Sequence, residues 1–191
     1  MKVLAVNGSA RRGGNTAILL ETALDALHKE GIETELIQLA GQWIHPCRAC
    51  WACGGRGNCA HGGDPFQSLF EKMKAADGLL LGSPVYSANL SANMQALLER
   101  AAVVADMNPG LFSRKIGASV AAARRAGALC AIDGMNRFFL NHDMFVAGST
   151  YWGAGYGRLP GDVRQDAEAL ATAARLGENM AYYLRLRETA R

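Results

Sequence analysis

Short, unbroken apolar runs alternate along the chain with stretches whose apolar positions recur every three to four residues. Lys2-Val3-Leu4-Ala5-Val6 is the first run, and its length and β-branched content suit a strand buried on both faces. Asn15 to Glu30 predicts a helix with Ile18, Leu19, Thr22, Ala23, Ala26 and Leu27 on one face and Gly31 as its stop. Glu33 to Leu39 reads as a second, more exposed strand. Residues 40–63 have no periodicity and are rich in glycine, a long excursion for a βα connection. Asp64-Pro65 then opens a helix carrying Phe66, Leu69, Phe70 and Met73, with Asp64 as its cap. Gly78–Gly82 predicts a third strand, Ser91–Ala105 a helix, and Lys115–Ala122 a fourth strand of small residues. A helix over Leu129–Leu140, a fifth strand over Met144–Gly148, a loop over Ser149–Gly161 and a helix over Asp162–Arg187 complete the pattern.

Five strands alternating with five helices predict one α/β domain over residues 1–191, a doubly wound, three-layer parallel sheet in the order 2-1-3-4-5 with a cysteine-rich insertion at 40–63. That order places a ligand where the winding reverses, between strands one and three. The loops after strands one, three and four then meet at the carboxyl edge of the sheet.

Composition narrows the class. Half of the 191 residues are apolar, the net charge is +3, and no charge run marks a nucleic-acid face. No apolar stretch is long enough to span a bilayer, and the chain runs at once into a strand, so the expectation is a cytoplasmic protein with no membrane partner.

The first loop, NGSARRGGNT, has the makings of an anion site. Glycine lets backbone N–H groups approach a ligand, and the helix that follows adds its positive end. Ser9, Asn15 and Thr16 are neutral donors, Gly14 stands at the helix entrance, and Arg11 and Arg12 bring charge in fork geometry. The spacing is neither the dinucleotide nor the Walker pattern, and it suits a terminal monophosphate. The second loop, Ser83, Pro84, Val85, Tyr86 and Ser87, offers a stiff aromatic shelf. The third, Ala123, Arg124, Arg125, Ala126 and Gly127, is small enough for a planar ligand to approach. A phosphate at one end and a flat heteroaromatic at the other describe FMN.

GSARRGGNT followed by SPVYSANLSANMQALLER resembles the NADPH-dependent FMN reductase family of flavodoxin-like proteins. The spacing in CRACWACGGRGNC makes the chain most similar to the iron-sulfur flavoprotein branch. The likeness includes the late pattern MNRFFLNHDMFVAG and covers most of the chain. It implies FMN held by Ser9, Arg11, Asn15 and Thr16 at the phosphate and by Pro84, Val85, Tyr86 and the 123–127 loop at the ring. It also implies a homodimer or homotetramer with a neighbouring subunit near the flavin. One departure stands out: relatives carry a glycine-rich turn with a polar Gly-Gly-Gln-Glu-like end after strand four, and here the segment reads AAARRAGAL.

Four of the five cysteines lie within thirteen residues, Cys47-x2-Cys50-x2-Cys53-x5-Cys59. An odd, crowded set is a poor disulfide framework and points to metal or redox chemistry. Two-residue spacings wrap three thiolates around one small object, the rhythm of a 4Fe-4S site, and a short excursion brings a fourth. Bare thiols and a zinc ion are the alternatives. Arg48 and Arg56 are candidates to offset a cluster's charge. His45 and His61 flank the loop as possible ligands or proton carriers. Cys130 reads as a small core residue. The expected function is electron passage between FMN and a cluster, with a ferredoxin-like donor. The alternatives are an NAD(P)H-dependent FMN or quinone reductase without a cluster, and an FMN-binding protein without catalysis.

Overall fold

A computed structural model of the chain describes residues 1–190. Its sheet is formed by β1 (Lys2–Asn7), β2 (Glu33–Gln38), β3 (Gly78–Pro84), β4 (Ile116–Ala123), β5 (Phe145–Val146) and β6 (Ala154–Tyr156). The order is β2-β1-β3-β4-β5, as the pattern predicts, and all the pairings are parallel. The helices are α1 (Asn15–Lys29), α2 (Phe66–Ala75), α3 (Ala92–Asp106), α4 (Ala128–Asn141) and α5 (Ala167–Thr189), with a 3-10 turn at Asp162–Gln165.

Alternation along the strands decides which helices cover which face. Leu4, Val6, Leu79 and Leu81 pack with α2, α3 and α4. Val3, Ala5, Leu80 and Val120 pack with α1 and α5 on the other side. A sheet buried on both faces explains why β1, β3 and β4 read as unbroken apolar runs. Strand glycines set how closely the layers approach. A Cβ at Gly117 would lie 2.5 Å from the Phe139 ring of α4, and one at Gly82 would lie 2.7 Å from Leu20 of α1. β2, on the edge, is only half-buried.

The edge beyond β4 departs from expectation. β5 has two residues, paired with Ile116 and Gly117. Within the segment expected as a loop, residues 154–156 form β6, which pairs with Ala121–Ala123. The fifth position in the sheet is thus filled by two short strands, one along each half of β4. Gly153 allows the crossing, since a Cβ there would sit 2.5 Å from the Ser119 carbonyl.

A partly buried ion pair ties the C-terminal helix to the sheet. Arg187 bonds the Asp77 carboxylate, which also accepts the Lys2 N–H at 2.9 Å. Burial pushes the Asp77 carboxyl up, but the Lys2 N–H and Arg187 outweigh it and hold the group below its ordinary 3.8. A lowered folded-state value contributes stability that is present above the unfolded value and lost as pH falls through the folded one. Acid unfolding scans of Asp77→Asn should therefore show lower stability at neutral pH and a shallower loss below pH 3.8 than the parent shows. Parallel curves would contradict this.

Candidate functional site

Backbone bonds and one helix cap lock the first two loops together. Gly8 N–H donates to the Gly82 carbonyl at 2.8 Å, extending the β1–β3 pairing beyond the strand ends. Ser91 caps α3; its hydroxyl donates to the Gly8 carbonyl at 2.7 Å, and its N–H donates to Ser83 Oγ at 2.9 Å. Ser83 is fully buried, and its hydroxyl also donates to the Pro84 carbonyl at 2.8 Å, so it links the loop internally.

The first loop folds back over its own side chains before α1. Asn7 Oδ1 accepts the Ser9 N–H at 3.0 Å, and Ser9 Oγ accepts the Arg11 N–H at 3.1 Å, so the loop curls over its own side chains. Gly13, at φ +63°, makes the turn into α1. Gly14 is the N-cap and supplies no side-chain acceptor, and the first turn of α1 has no acidic residue. The unpaired N–H groups and the positive dipole end are left for an anion. Thr16 is buried in that first turn, and Arg11 and Arg12 lie exposed on the rim. Arg12 reaches the Ala40 carbonyl at 3.4 Å. Asn7 Nδ2 is buried with no partner among the described residues, a donor at the base of the loop that sequence reasoning did not single out.

Asn15 bonds to the segment after β6. Its Oδ1 accepts the N–H groups of Gly161 (2.9 Å) and Val163 (3.3 Å), and its Nδ2 donates to the Leu159 carbonyl at 3.0 Å. It pins the segment after β6 against the start of α1.

The second loop forms a two-residue hairpin. Tyr86 and Asn89 exchange backbone bonds at 2.9 and 3.0 Å, and Ser87 and Ala88 both take left-handed backbone, at φ 49° and 57°. A turn that usually carries Asn-Gly is here built from Ser-Ala, at a cost of order 1 kcal/mol or more per residue. Pro84 and Val85 are half-buried and Tyr86 is exposed, but the Val85 N–H is engaged by the Ala122 carbonyl at 2.9 Å. Gly127, at φ +85°, lets the third loop rest on the second; a Cβ there would lie 2.9 Å from Ala88 Cα and 3.1 Å from Val85 Cγ1. Ala123 is buried, and its carbonyl accepts the Gly157 N–H at 2.9 Å. Arg124 and Arg125 are exposed and form no ion pair among the described residues. Gly127→Ala should separate the two loops and weaken FMN binding about tenfold, for a strain of 1–2 kcal/mol. Flavin fluorescence titration would read it, and an unchanged affinity would contradict this packing.

A cleft of about 540 Å³ opens beside these loops, bordered by Ser9, Tyr86, Trp43, Pro46 and Asn93. Its size falls in the range of cofactor sites. Pro46 also borders the next cavity, where Cys47, Cys50, Cys53 and Cys59 all face one small space of about 20 Å³. Left-handed backbone at Ala49 (φ 49°) and Trp51 (φ 57°) curls the chain at each two-residue spacing. The Ala49 N–H points at Cys47 Sγ and the His61 N–H at Cys59 Sγ, both at 3.4 Å, and His61 Nε2 lies 3.3 Å from Cys50 Sγ. Burial pushes the Cys53 thiol up, and the three neighbouring cysteines add to it by repulsion.

The loop is clamped by α3 and α2. Asn93 Oδ1 accepts the Ile44 N–H and its Nδ2 donates to the Gln42 carbonyl; Glu99 accepts the Cys47 N–H; Asn108 bonds Gly57 N–H and the Cys53 carbonyl. Arg100 is buried, and its Nε–H donates to Cys59 Sγ at 3.2 Å. Asp64 does more than open α2: it accepts the N–H groups of Phe66 and His45 and pairs with Arg100 at 2.6 Å. Burial raises the Asp64 carboxyl, but the His45 N–H and Arg100 win and keep it below its ordinary value. Arg48 and Arg56 are exposed, so the expected charge partners are not the ones touching sulfur. Cys130 is also exposed, because Ala128, Ala131, Ile132 and Met135 form the inward stripe of α4.

Comparison with known proteins places the chain in a flavin-binding family. Residues 1–158 match the family described as NADPH-dependent FMN reductase. The chain belongs to that family. An iron-sulfur flavoprotein of Methanocaldococcus jannaschii is 40% identical over 194 residues, covering 97% of this chain and 98% of its own. One of Methanosarcina thermophila is 33% identical over 150 residues, covering 78% of each. Among solved structures, RosB with a bound formylriboflavin phosphate intermediate superposes with a TM-score of 0.79 at 18% identity, over 99% of this chain and 81% of that one. A flavodoxin from the domain Archaea gives 0.63 at 16%, over 97% and 99%. These two share the fold. The chain is a flavin-dependent oxidoreductase of the iron-sulfur flavoprotein branch, and no described helix is long and apolar enough to cross a membrane.

The residues of this flavoprotein fit FMN. The uncapped α1 terminus, the unpartnered Asn7 Nδ2 and the Tyr86 shelf supply phosphate donors and a ring platform. The cysteine cavity brings four thiol side chains to one lining, the donor chemistry that a zinc ion or an iron-sulfur cluster takes. A tetrahedral zinc with bonds of about 2.3 Å needs sulfurs about 3.8 Å apart. Among the described residues no three His, Cys, Asp or Glu side chains are gathered to hold a single metal ion. Four cysteines nonetheless line one cavity, with N–H donors directed at the sulfurs of Cys47 and Cys59, contacts of the kind that surround cluster thiolates.

Proposed function

We propose that this flavoprotein exchanges electrons between FMN and a 4Fe-4S cluster ligated by Cys47, Cys50, Cys53 and Cys59. The observation that carries the reading is the convergence of all four cysteines on one cavity, where N–H donors meet the sulfurs of Cys47 and Cys59. Flavin supplies two-electron and one-electron chemistry, and a cluster carries single electrons, so the pair converts between the two kinds of partner. The chain's part is to bind and orient. The α1 terminus anchors phosphate, the Ser87-Ala88 hairpin fixes the Tyr86 shelf, and α3 joins both sites through Ser91 at one end and Arg100 and Asn108 towards the other. We place it in the cytoplasm as a homodimer or homotetramer fed by a ferredoxin-like donor. Exposed Tyr151, Trp152 and Tyr156 beside the carboxyl edge support a subunit contact there. Dithionite-reduced, anaerobically isolated protein should give the electron paramagnetic resonance signal of a reduced cubane. A flavin signal alone would contradict the reading.

The unpaired Arg124 and Arg125 favour a second reading, an NAD(P)H-dependent FMN or quinone reductase without a cluster. Steady bleaching of bound flavin by NADPH or NADH in iron-free protein would support it; no bleaching would count against it.

A further inference from the structure

Arg100 is an unusual residue for the role that it fills. Asn93 on the same helix and Asn108 just beyond its end hold other parts of the cysteine loop with neutral amides, and Glu99 holds the Cys47 N–H with an exposed carboxylate. Arg100 instead places a cation in the interior: its side chain is 5% exposed and its partner Asp64 is 2% exposed. Breaking even on such a pair is difficult, because desolvation of both charges offsets their attraction. A clamp needs no buried charge. The guanidinium also has little freedom. One terminal nitrogen donates to Asp64 Oδ2 at 2.6 Å, the other donates to the His61 carbonyl at 2.5 Å, and the carbon lies 4.2 Å from the Phe66 ring centre. The remaining Nε–H is thereby aimed at Cys59 Sγ, 3.2 Å away.

We infer that Arg100 is a positioning residue that presents Cys59 to the cluster and raises the cluster's reduction potential, while Asp64 partly cancels that effect. The inference rests on the cluster reading above. Adding an electron makes the cluster more negative, and a buried hydrogen-bonding cation on a ligand sulfur stabilises that state. Exposed Arg48 and Arg56 are screened by solvent and salt and have far less leverage. Asp64 carries the opposite charge within the same buried unit, so its removal leaves the Arg100 charge uncompensated.

The test is a redox titration followed by electron paramagnetic resonance on anaerobically purified holoprotein, with iron content measured alongside. Arg100→Gln should lower the reduced-to-oxidised ratio at fixed ambient potential at least tenfold, which is a downward shift of about 59 mV for a one-electron couple. Asp64→Asn, nearly the same shape, should shift the ratio upward. Arg100→Lys keeps the charge without the fork and should fall between Arg100→Gln and the parent. Shifts of opposite sign are what a purely structural role would not produce. Shifts in the same direction, or ratios within twofold of the parent, overturn the inference. If Arg100→Gln holds no iron, the sign for Asp64→Asn decides: upward supports, unchanged or downward overturns. Iron-free parent protein overturns the cluster reading itself, and this inference with it, whereas iron at normal potential in both variants overturns this inference alone.

Discussion

Cys50→Ala is expected to strip the iron and leave the flavin in place. Cys50 is the most informative of the four to change, because its side chain is exposed and its loss opens no void in the core. Cys53 is 5% exposed and packs with Leu81, Phe70 and Val104 in one core cluster, so its truncation confounds ligation with packing. The FMN loops hang on Gly8, Ser83 and Ser91, none of which touches Cys50. Metal analysis and flavin absorbance should show iron falling from about four per chain to below one with FMN near one. Iron retained at the parental level would remove Cys50 from the ligand set.

Gly177→Ala should be among the most damaging single changes outside the site. α5 crosses α1 at Gly177, where an added Cβ would lie 2.2 Å from the Ala23 carbonyl oxygen and 3.0 Å from Ala26 Cβ. The obstacle is helix backbone and cannot rotate away, so α5 must lift from α1 along a contact that includes Leu27, Leu176, Met180 and Leu184. Overpacking of this kind costs about 2–3 kcal/mol, which lowers Tm by roughly 5–10 °C in a chain of this size. Calorimetry would read it, and an unchanged Tm would mean that the helices are not packed this closely.

Much of this protein was legible in its sequence because burial on both faces leaves an unmistakable mark. β1, β3 and β4 are read correctly from unbroken apolar runs, and the strand order follows from their alternation with helices. β6 is missed because Ala154-Gly155-Tyr156 has neither alternation nor length; it is a strand because β4 offers an open edge beyond the end of β5. At the phosphate loop the composition announced an anion site, but composition does not tell a free donor from an engaged one. Asn15 and Ser83 are polar and tied to backbone. Arg100 carried a usable signal: it stands between Leu97 and Val104 on the inward stripe of α3, where a charge demands a partner. That partner, Asp64, is thirty-six residues away and reads locally as a helix cap, so only tertiary structure joins them.

The central claim is that one chain holds both a flavin and a cluster, and the most direct measurement is iron, sulfide and FMN content after strictly anaerobic purification. About four irons, four sulfides and one FMN per chain is the predicted result. Stoichiometric FMN with no iron would contradict it and make the four convergent cysteines thiols alone.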